Sequence, residues 1–348
     1  MPDQLSPIKK WWIRWSNWEF WPFSFLYFPV GFYYTWLAFK HRSFFFFTAA
    51  NPSIEFGGMM GEKKSDIYKL IPGKFLPQTR LFQKNEINQA LDFAQKIGYP
   101  IIAKPDIGER GTWVEKLKDP TSLRAYIHHC PVAFLLQELV TYPVELGVFY
   151  VRLPGEPEGK ITSMVEKAFL TVIGDGKSTI KDLLEKNPRA SLQVDMHHER
   201  LAPILEEVPA KGESIEIESI GNHCRGTQFL NKNDRISRQL ELAFDEIANQ
   251  IPDFYFGRFD LRCQSFADLE NLQNFKILEL NGAGAEPGHI YQPGYPLFQA
   301  YRDIIWHLAT LADISLKNKR MGHSYWTLKQ GLKKLREVKT YNKTLNRT

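Results

Sequence analysis

Two short apolar runs in the last third of the chain, FYFGRFDLRC and FKILELNGAG, alternate hydrophobic and polar residues. A period of two predicts a pair of strands. It places Arg258 and Asp260 on one face of the first, and Glu279 and Asn281 on one face of the second. If the strands are neighbours, two carboxylates, an amide and a guanidinium converge on one spot. Three adjacent oxygen ligands suit Mg²⁺, which takes one or two carboxylates plus phosphate oxygens. An arginine beside them would meet a transferring phosphoryl group. A solvent-facing strand pair with ordinary salt bridges would show the same alternation.

Upstream, GYPIIAKPDIGERGTWVEKL predicts a strand ending in Lys104-Pro105, a loop with Gly108 and Gly111, and a second strand starting near Trp113. A lysine ending a buried strand is costly unless it meets an anion, and glycines let backbone N–H groups approach phosphate. VAFLLQELVTYPVELGVFYVR predicts another buried strand, with Glu138 and Glu145 around a short connection. Helical periodicity covers Leu183–Leu205 and Arg235–Asn249, both read as packing elements. VPAKGESIEIESIGNHCRGTQF reads as a strand and polar turn, with a plain exposed hairpin as the alternative.

The first eighty residues differ in character. Phe20 to Phe39 carries no charge, and Trp11, Trp12, Trp15 and Trp18 precede it. The length meets the criterion for a membrane span, but Pro22, Pro29, Gly31 and the tyrosines argue against a simple helix of that kind. Abundant Trp and Tyr flanked by Lys9, Lys10, Arg14, Lys40 and Arg42 suit a membrane interface. A packed core, a homodimer surface and a true span stay open as alternatives; a signal peptide does not fit. Phe44–Phe47 reads as a buried strand leading to NPSIEFGGMMGEKK, where Gly57, Gly58 and Gly61 make a flexible turn and Glu62 could reach a substrate.

Taken in order, these parts resemble the ATP-grasp superfamily, most closely its carboxylate–amine ligases of the D-alanine–D-alanine ligase and cyanophycin synthetase type. The matching order is strand–Lys-Pro–glycine loop, paired glutamates at a hinge, Arg-x-Asp and Glu-x-Asn, over roughly Ile67 to Ala312. The resemblance implies an α+β ATP-grasp fold, two α/β lobes sandwiching ATP, here with an aromatic-rich N-terminal extension. It implies that Lys104 holds phosphates under a flap from Asp106 to Thr112, including Gly108, Arg110 and Gly111. Glu138, Leu139, Val140 and Thr141 would face adenine, and Glu145 the ribose. Asp260, Glu279 and Asn281 would hold magnesium, usually two ions, with Mn²⁺ as a substitute. Arg258 would stabilise an acyl-phosphate transition state and Lys167 would reach the γ-phosphate, although an exposed strand lysine is an equal reading. Asn222 and Arg225 would lie beside the reaction centre. Glu286 and His289, in the loop after Asn281, become candidates for binding an amine or a carboxylate.

The domain boundaries expected are an aromatic and basic segment at 1–42, a shortened lead-in at 43–80, an ATP-grasp domain at 81–316 and a basic tail at 317–348. At 348 residues the chain can hold a large core. The net charge of +5 is modest, but residues 317–348 carry ten Lys/Arg against Glu337 alone, so the body between the basic ends is acidic. No nucleic-acid partner is expected. Cys130, Cys224 and Cys263 form no disulfide framework, which suits a cytoplasmic location, peripheral to the inner face of the membrane if the aromatic segment docks there. Cys263 reads as an inert buried thiol, and the pairs His128-His129 and His197-His198 lack spaced partner ligands. Gly174-Asp-Gly-Lys-Ser-Thr179 is not a P-loop, since Thr171 stands where the first glycine is required; it reads as a turn and a helix capped near Ser178. The expected activity is an ATP-dependent ligase joining a carboxylate to an amine (or thiol). The alternatives are an ATP-grasp kinase acting on a hydroxyl and a non-catalytic, membrane-associated nucleotide-binding protein.

Overall fold

A computed structural model of the protein describes residues 7–108, 111–186, 201, 204–217 and 227–346. In chain order the elements are α1 (Pro7–Ser16), α2 (Phe23–His41), α3 (Lys64–Leu70), β1 (Thr79–Phe82), α4 (Ile87–Ile97), β2 (Ile101–Pro105), β3 (Glu115–Leu117), α5 (Pro120–His129), β4 (Phe134–Glu138) and β5 (Val144–Val151). They continue with β6 (Lys160–Ala168), β7 (Thr171–Ile173), α6 (Ile180–Lys186), β8 (Ser214–Glu216), β9 (Gln228–Asn231), α7 (Arg238–Asn249), β10 (Phe256–Cys263), α8 (Phe266–Glu270), β11 (Phe275–Asn281), α9 (Leu297–Arg320) and α10 (Leu328–Leu345).

The α+β class expected is what the structure has. A four-stranded antiparallel sheet, ordered β1-β4-β2-β3, faces a five-stranded antiparallel sheet, ordered β11-β10-β5-β6-β9. In the small sheet, Ile101, Ala103, Phe134 and Leu136 pack under α4 and α5, so Lys104 and Gln137 point the other way. In the large sheet, Phe259, Leu261 and Cys263 alternate into a core shared with Leu240, Phe244 and Ile247 of α7. Arg258, Asp260 and Arg262 are thereby turned to the opposite face. That face is divided: Phe149, Val151 and Phe256 bury against Phe46, Phe47 and α9 at one end, and the other end is left to polar groups. A small pair, β7-β8, forms a satellite core with α6.

Asn51, fully buried, fixes the lead-in to this frame. Its Oδ1 accepts from the N–H groups of Tyr255 and Phe256 (2.9 and 3.0 Å), and its amide donates to the carbonyls of Gly57 and Phe256 (3.1 and 2.8 Å). Gly57 and Gly58, both at positive φ, then lie against Gly282, and their carbonyls accept from Ala283 and Gly284 (3.0 and 2.9 Å). The expected flexible turn is therefore a packed edge of the site.

Three other expectations change. Phe44–Phe47 is not a strand: Phe46–Ala49 forms a 3₁₀ turn, and Phe45, Phe46 and Phe47 are all buried. A strand would send alternate rings to opposite faces, whereas a tight turn wraps successive rings into one core. Phe23–His41 is one α-helix despite Pro29 inside it, held along Leu26, Val30 and Leu37 by packing on α9. The basic C-terminal segment is helical, with Thr327 and Gln330 forming a capping box on α10. Its Lys334 is buried, donating to the Gly61 carbonyl (2.9 Å) and pairing with Glu55 (2.7 Å). The Arg235–Asn249 helix begins at Arg238, capped by Ser237. Of Leu183–Leu205, α6 covers only the start, and 187–200 lie outside the described residues.

Candidate active site

β10 and β11 are neighbours in the register that brings the polar couplets together: Arg258 stands opposite Asn281, and Asp260 opposite Glu279. On its other side, Asp260 faces Gly147 and Arg262 faces Glu145. The glycine is what makes room. A Cβ at position 147 would lie 3.2 Å from Asp260 Oδ1 and 3.4 Å from Arg258 Cδ.

Asp260 is buried and fully engaged. Arg258 donates to it through Nη2 (3.0 Å), Asn281 through its amide (3.0 Å), and the Lys167 ammonium lies 3.0 Å from Oδ1. Burial alone would raise the pKa of Asp260, but Arg258 and Lys167 more than offset it and hold the carboxyl below its ordinary range. Lys167 is buried rather than exposed, lying between Asp260 and Glu145 (3.3 Å). Burial opposes its charge, yet the two carboxylates raise its pKa. The second oxygen of Glu145 accepts from Arg262 Nε at 2.8 Å, and Arg262 Nη1 donates to the Val140 carbonyl at 3.1 Å. The solvent-facing reading of these strands is thus excluded.

Across from them, Lys104 is buried at the end of β2. Its ammonium donates to Tyr68 Oη (2.8 Å), Gln137 Oε1 (3.0 Å) and the Leu278 carbonyl on β11 (3.2 Å), joining the two sheets. All three acceptors are neutral. Burial pushes its pKa down to about 8, and the more distant Glu279 only partly offsets this. A cation desolvated without a carboxylate in contact is short of negative charge, which is what a phosphate would supply.

Between the sheets lies a cavity of about 490 Å³, lined by Lys104, Glu138, Leu139, Val140, Glu145, Lys167, Arg258, Asp260, Glu279 and Asn281, with Gly108 and Gly111 from the loop after β2. Glu138 accepts from the Gln78 N–H (3.1 Å). Thr141, exposed one residue beyond Val140, is not part of the lining. Arg110, Asn222 and Arg225 lie outside the described residues, as do Cys224, His197 and His198. Glu62 and Glu286 line the cavity. His289 does not: it is buried behind the loop and pairs with Asp303 at 3.1 Å. Cys263 sits on the opposite face of β10, its thiol pushed up to about 12 by burial, and is inert.

Four residues join the site that the chain's pattern did not single out. Lys64, at the start of α3, donates to the Gly108 carbonyl (2.6 Å) and pairs with Glu279 (3.5 Å). Tyr68 and Gln137 hold Lys104, and Arg262 holds Glu145. The extension contributes too: Trp21, Phe23 and Leu26 line the cavity, and Tyr27 donates a short hydrogen bond to Glu286, which also accepts from Tyr291 (2.9 Å).

Among the described residues no cluster of three or more His, Cys, Asp or Glu side chains is formed that could hold a metal ion by itself. Asp260 and Glu279 with the Asn281 amide nevertheless fit Mg²⁺. They are oxygen donors in register on one cavity wall, and phosphate and water oxygens would complete such a shell.

No protein-family model matches the chain, and no curated protein matches it. Solved structures similar to it include a bifunctional glutathione synthetase from Pasteurella multocida, 13% identical over 70% of this chain and 35% of that one, with a TM-score of 0.38. A D-Ala:D-Ser ligase from Enterococcus faecalis is 13% identical over 74% of this chain and 60% of that one, with a TM-score of 0.40. A D-alanine–D-alanine ligase from Bacillus anthracis complexed with ATP is 12% identical over 75% and 68%, with a TM-score of 0.43. The chain therefore spans 35% and 60% of the first two proteins' lengths.

Proposed function

We propose that this chain is an ATP-grasp ligase that activates a carboxylate as an acyl phosphate and passes the acyl group to an amine. The observation that carries the reading is the cross-strand set Arg258–Asn281 and Asp260–Glu279 facing a buried, anion-deficient Lys104 across one cavity.

In this reading Lys104 binds the nucleotide's phosphates, with Gly108 and Gly111 bringing backbone close. Glu138, Leu139 and Val140 meet the adenine edge at the hinge between the sheets. Asp260, Glu279 and Asn281 would hold Mg²⁺, whose charge would neutralise phosphate oxygens when bound. Arg258 offers Nη1, bonded to the Glu286 carbonyl at 3.3 Å, to the charge on the acyl phosphate. Lys167, which lies between Asp260 and Glu145, would follow the transferring group, and Arg262 fixes Glu145. The protein's work is to position and neutralise charge in a desolvated site. The carboxylate of Glu286, set by Tyr27 and Tyr291, offers an incoming ammonium a partner, and the aromatic wall beside it favours a substrate with an apolar portion.

The test uses a carboxylate labelled with ¹⁸O, screened in pools with amines, including acylated ones. A ligase releases ADP only when both substrates are present, and transfers label from the carboxylate to inorganic phosphate. ADP release with a single hydroxyl compound and a phosphate ester left as product would replace the ligase with a kinase.

A further inference from the structure

The geometry points to an anionic lipid surface as the partner of the N-terminal helices, and we propose that α1 and α2 dock the protein on such a membrane. This surface does not depend on the chemistry proposed for the cavity.

The helix α2 has two apolar faces, of which the fold uses one. Leu26, Val30 and Leu37 pack against α9, while Phe25, Phe28, Phe32, Trp36 and Phe39 form a stripe along the outer side. Their spacing of three or four residues keeps them on one face. Phe28 and Phe32 are each 68% exposed and Phe39 72%, values usual for lysine rather than phenylalanine. The stripe continues onto α1, where Trp15 packs edge-on against Phe25 and Trp11 and Trp12 stand exposed.

Charge selects the occupant. Over residues 1–42, Lys9, Lys10, Arg14, Lys40 and Arg42 outnumber two acids, Asp3 and Glu19. Lys40 lies over the Trp36 ring (5.2 Å), at the edge of the stripe, and Lys319 from the end of α9 shares the electrostatic surroundings of His41 with Lys40, opposed by Asp313. An aromatic patch with a basic rim complements anionic headgroups. A second copy seated on it would bring like charges together. One-sided contact fits the geometry: α2 has its other side occupied by α9, and no helix among the described residues is long and apolar enough to cross a membrane. The contact is therefore shallow, on one side of α2. Phe23 is not part of the stripe: it stacks on Tyr27 and lines the cavity on the other side of α2.

The experiment is flotation of the full chain, without nucleotide, with phosphatidylcholine vesicles that do or do not contain phosphatidylglycerol. The full chain should float with the anionic vesicles, and added salt should weaken but not abolish binding. Combined Phe28→Ser, Phe32→Ser and Phe39→Ser should cut vesicle affinity by roughly tenfold or more, and the Leu versions at the same positions should retain most of it. None of the three lines the cavity, so nucleotide affinity should be unchanged and reports folding. Full chain that stays unbound at low salt, or a Ser variant that floats equally well, would overturn the proposal. So would a lipid-free dimer that the Ser variant converts to monomer. Loss of the ligase reading in the ¹⁸O assay would leave these outcomes untouched.

Discussion

Asp260 and Glu279 are direct cross-strand partners on β10 and β11, yet only one of them is saturated. Asp260 is enclosed by Arg258, Lys167 and Asn281, whereas the Glu279 side chain is 36% exposed toward the cavity and has a 3.5 Å pair with Lys64. The carboxylate with spare oxygen capacity is Glu279.

Glu279→Gln should therefore abolish Mg²⁺-dependent ADP release while altering folding stability little, because the site loses a metal ligand and, of ion pairs, only the long 3.5 Å one that the part-exposed Glu279 makes with Lys64. Asp260→Asn should also abolish turnover but at a stability cost of about 3 kcal/mol or more, since Lys167 and Arg258 would lose a shared buried counterion. Chelator should stop turnover and added Mg²⁺ restore it. Steady-state kinetics and urea unfolding of the two variants check the contrast; equal stability losses would contradict it.

Lys104 gives nucleotide binding a proton signature. With a pKa near 8 it is about half neutral at pH 8 before nucleotide arrives, and phosphate contact would restore the charge. Binding should take up about half a proton at pH 8 and about a tenth at pH 7 from this group. Affinity should fall as pH rises through 8. For folding the sign is opposite: the lysine's pKa is lower in the native state than unfolded, so the cost of burying its charge is present below pH 8. That cost is relieved as pH climbs toward about 10.4. Calorimetry in buffers of different ionisation enthalpy should show the uptake in the natural chain and not in Lys104→Met.

Much of this site was legible because its chemistry sits on strands. Alternation in FYFGRFDLRC and FKILELNGAG is a local signal, and it identified faces that the fold then placed side by side. Arg262 follows the same period of two as Arg258 and Asp260, and so could have been read with them. Lys64 and Tyr68 could not, since each matters through a contact made from α3, a short helix with no pattern of its own; Gln137 lies on the predicted strand β4 and matters only through its neighbour Lys104 on β2. Phe44–Phe47 misled because four identical rings carry no periodicity, so only the cores around them decide the backbone. His289 misled in the other direction: its loop lies over the site, but its ring points to Asp303.

Asn51 is a buried amide with no chemistry and four backbone partners. Asn51→Ala would leave the N–H groups of Tyr255 and Phe256 without their acceptor in the core. Each buried, unmet group costs about 1–3 kcal/mol, so the variant should lose roughly 2–5 kcal/mol of stability. Thermal and urea unfolding should show it.

Gly147 offers the most selective test of the site's geometry. Its φ is not in the left-handed region, so alanine meets no backbone penalty there. What alanine meets is side chains: the new methyl would stand 3.1 Å from Val165 Cγ2, 3.2 Å from Asp260 Oδ1 and 3.4 Å from Arg258 Cδ. These distances are short by a few tenths of an ångström, and the mobile partners are the carboxylate and the guanidinium. Gly147→Ala should therefore keep stability within about 1.5 kcal/mol, a modest overpacking effect. It should lower kcat by roughly tenfold or more, because displaced charges no longer meet the transferring phosphoryl group. Lys104 lies on the other sheet, so ATP affinity measured without metal should not change. Nucleotide titration, kinetics and unfolding on this one variant separate the outcomes. Unchanged kcat would mean that Asp260 and Arg258 do not need their present positions, and the assignment of the metal-bearing face would fall with it.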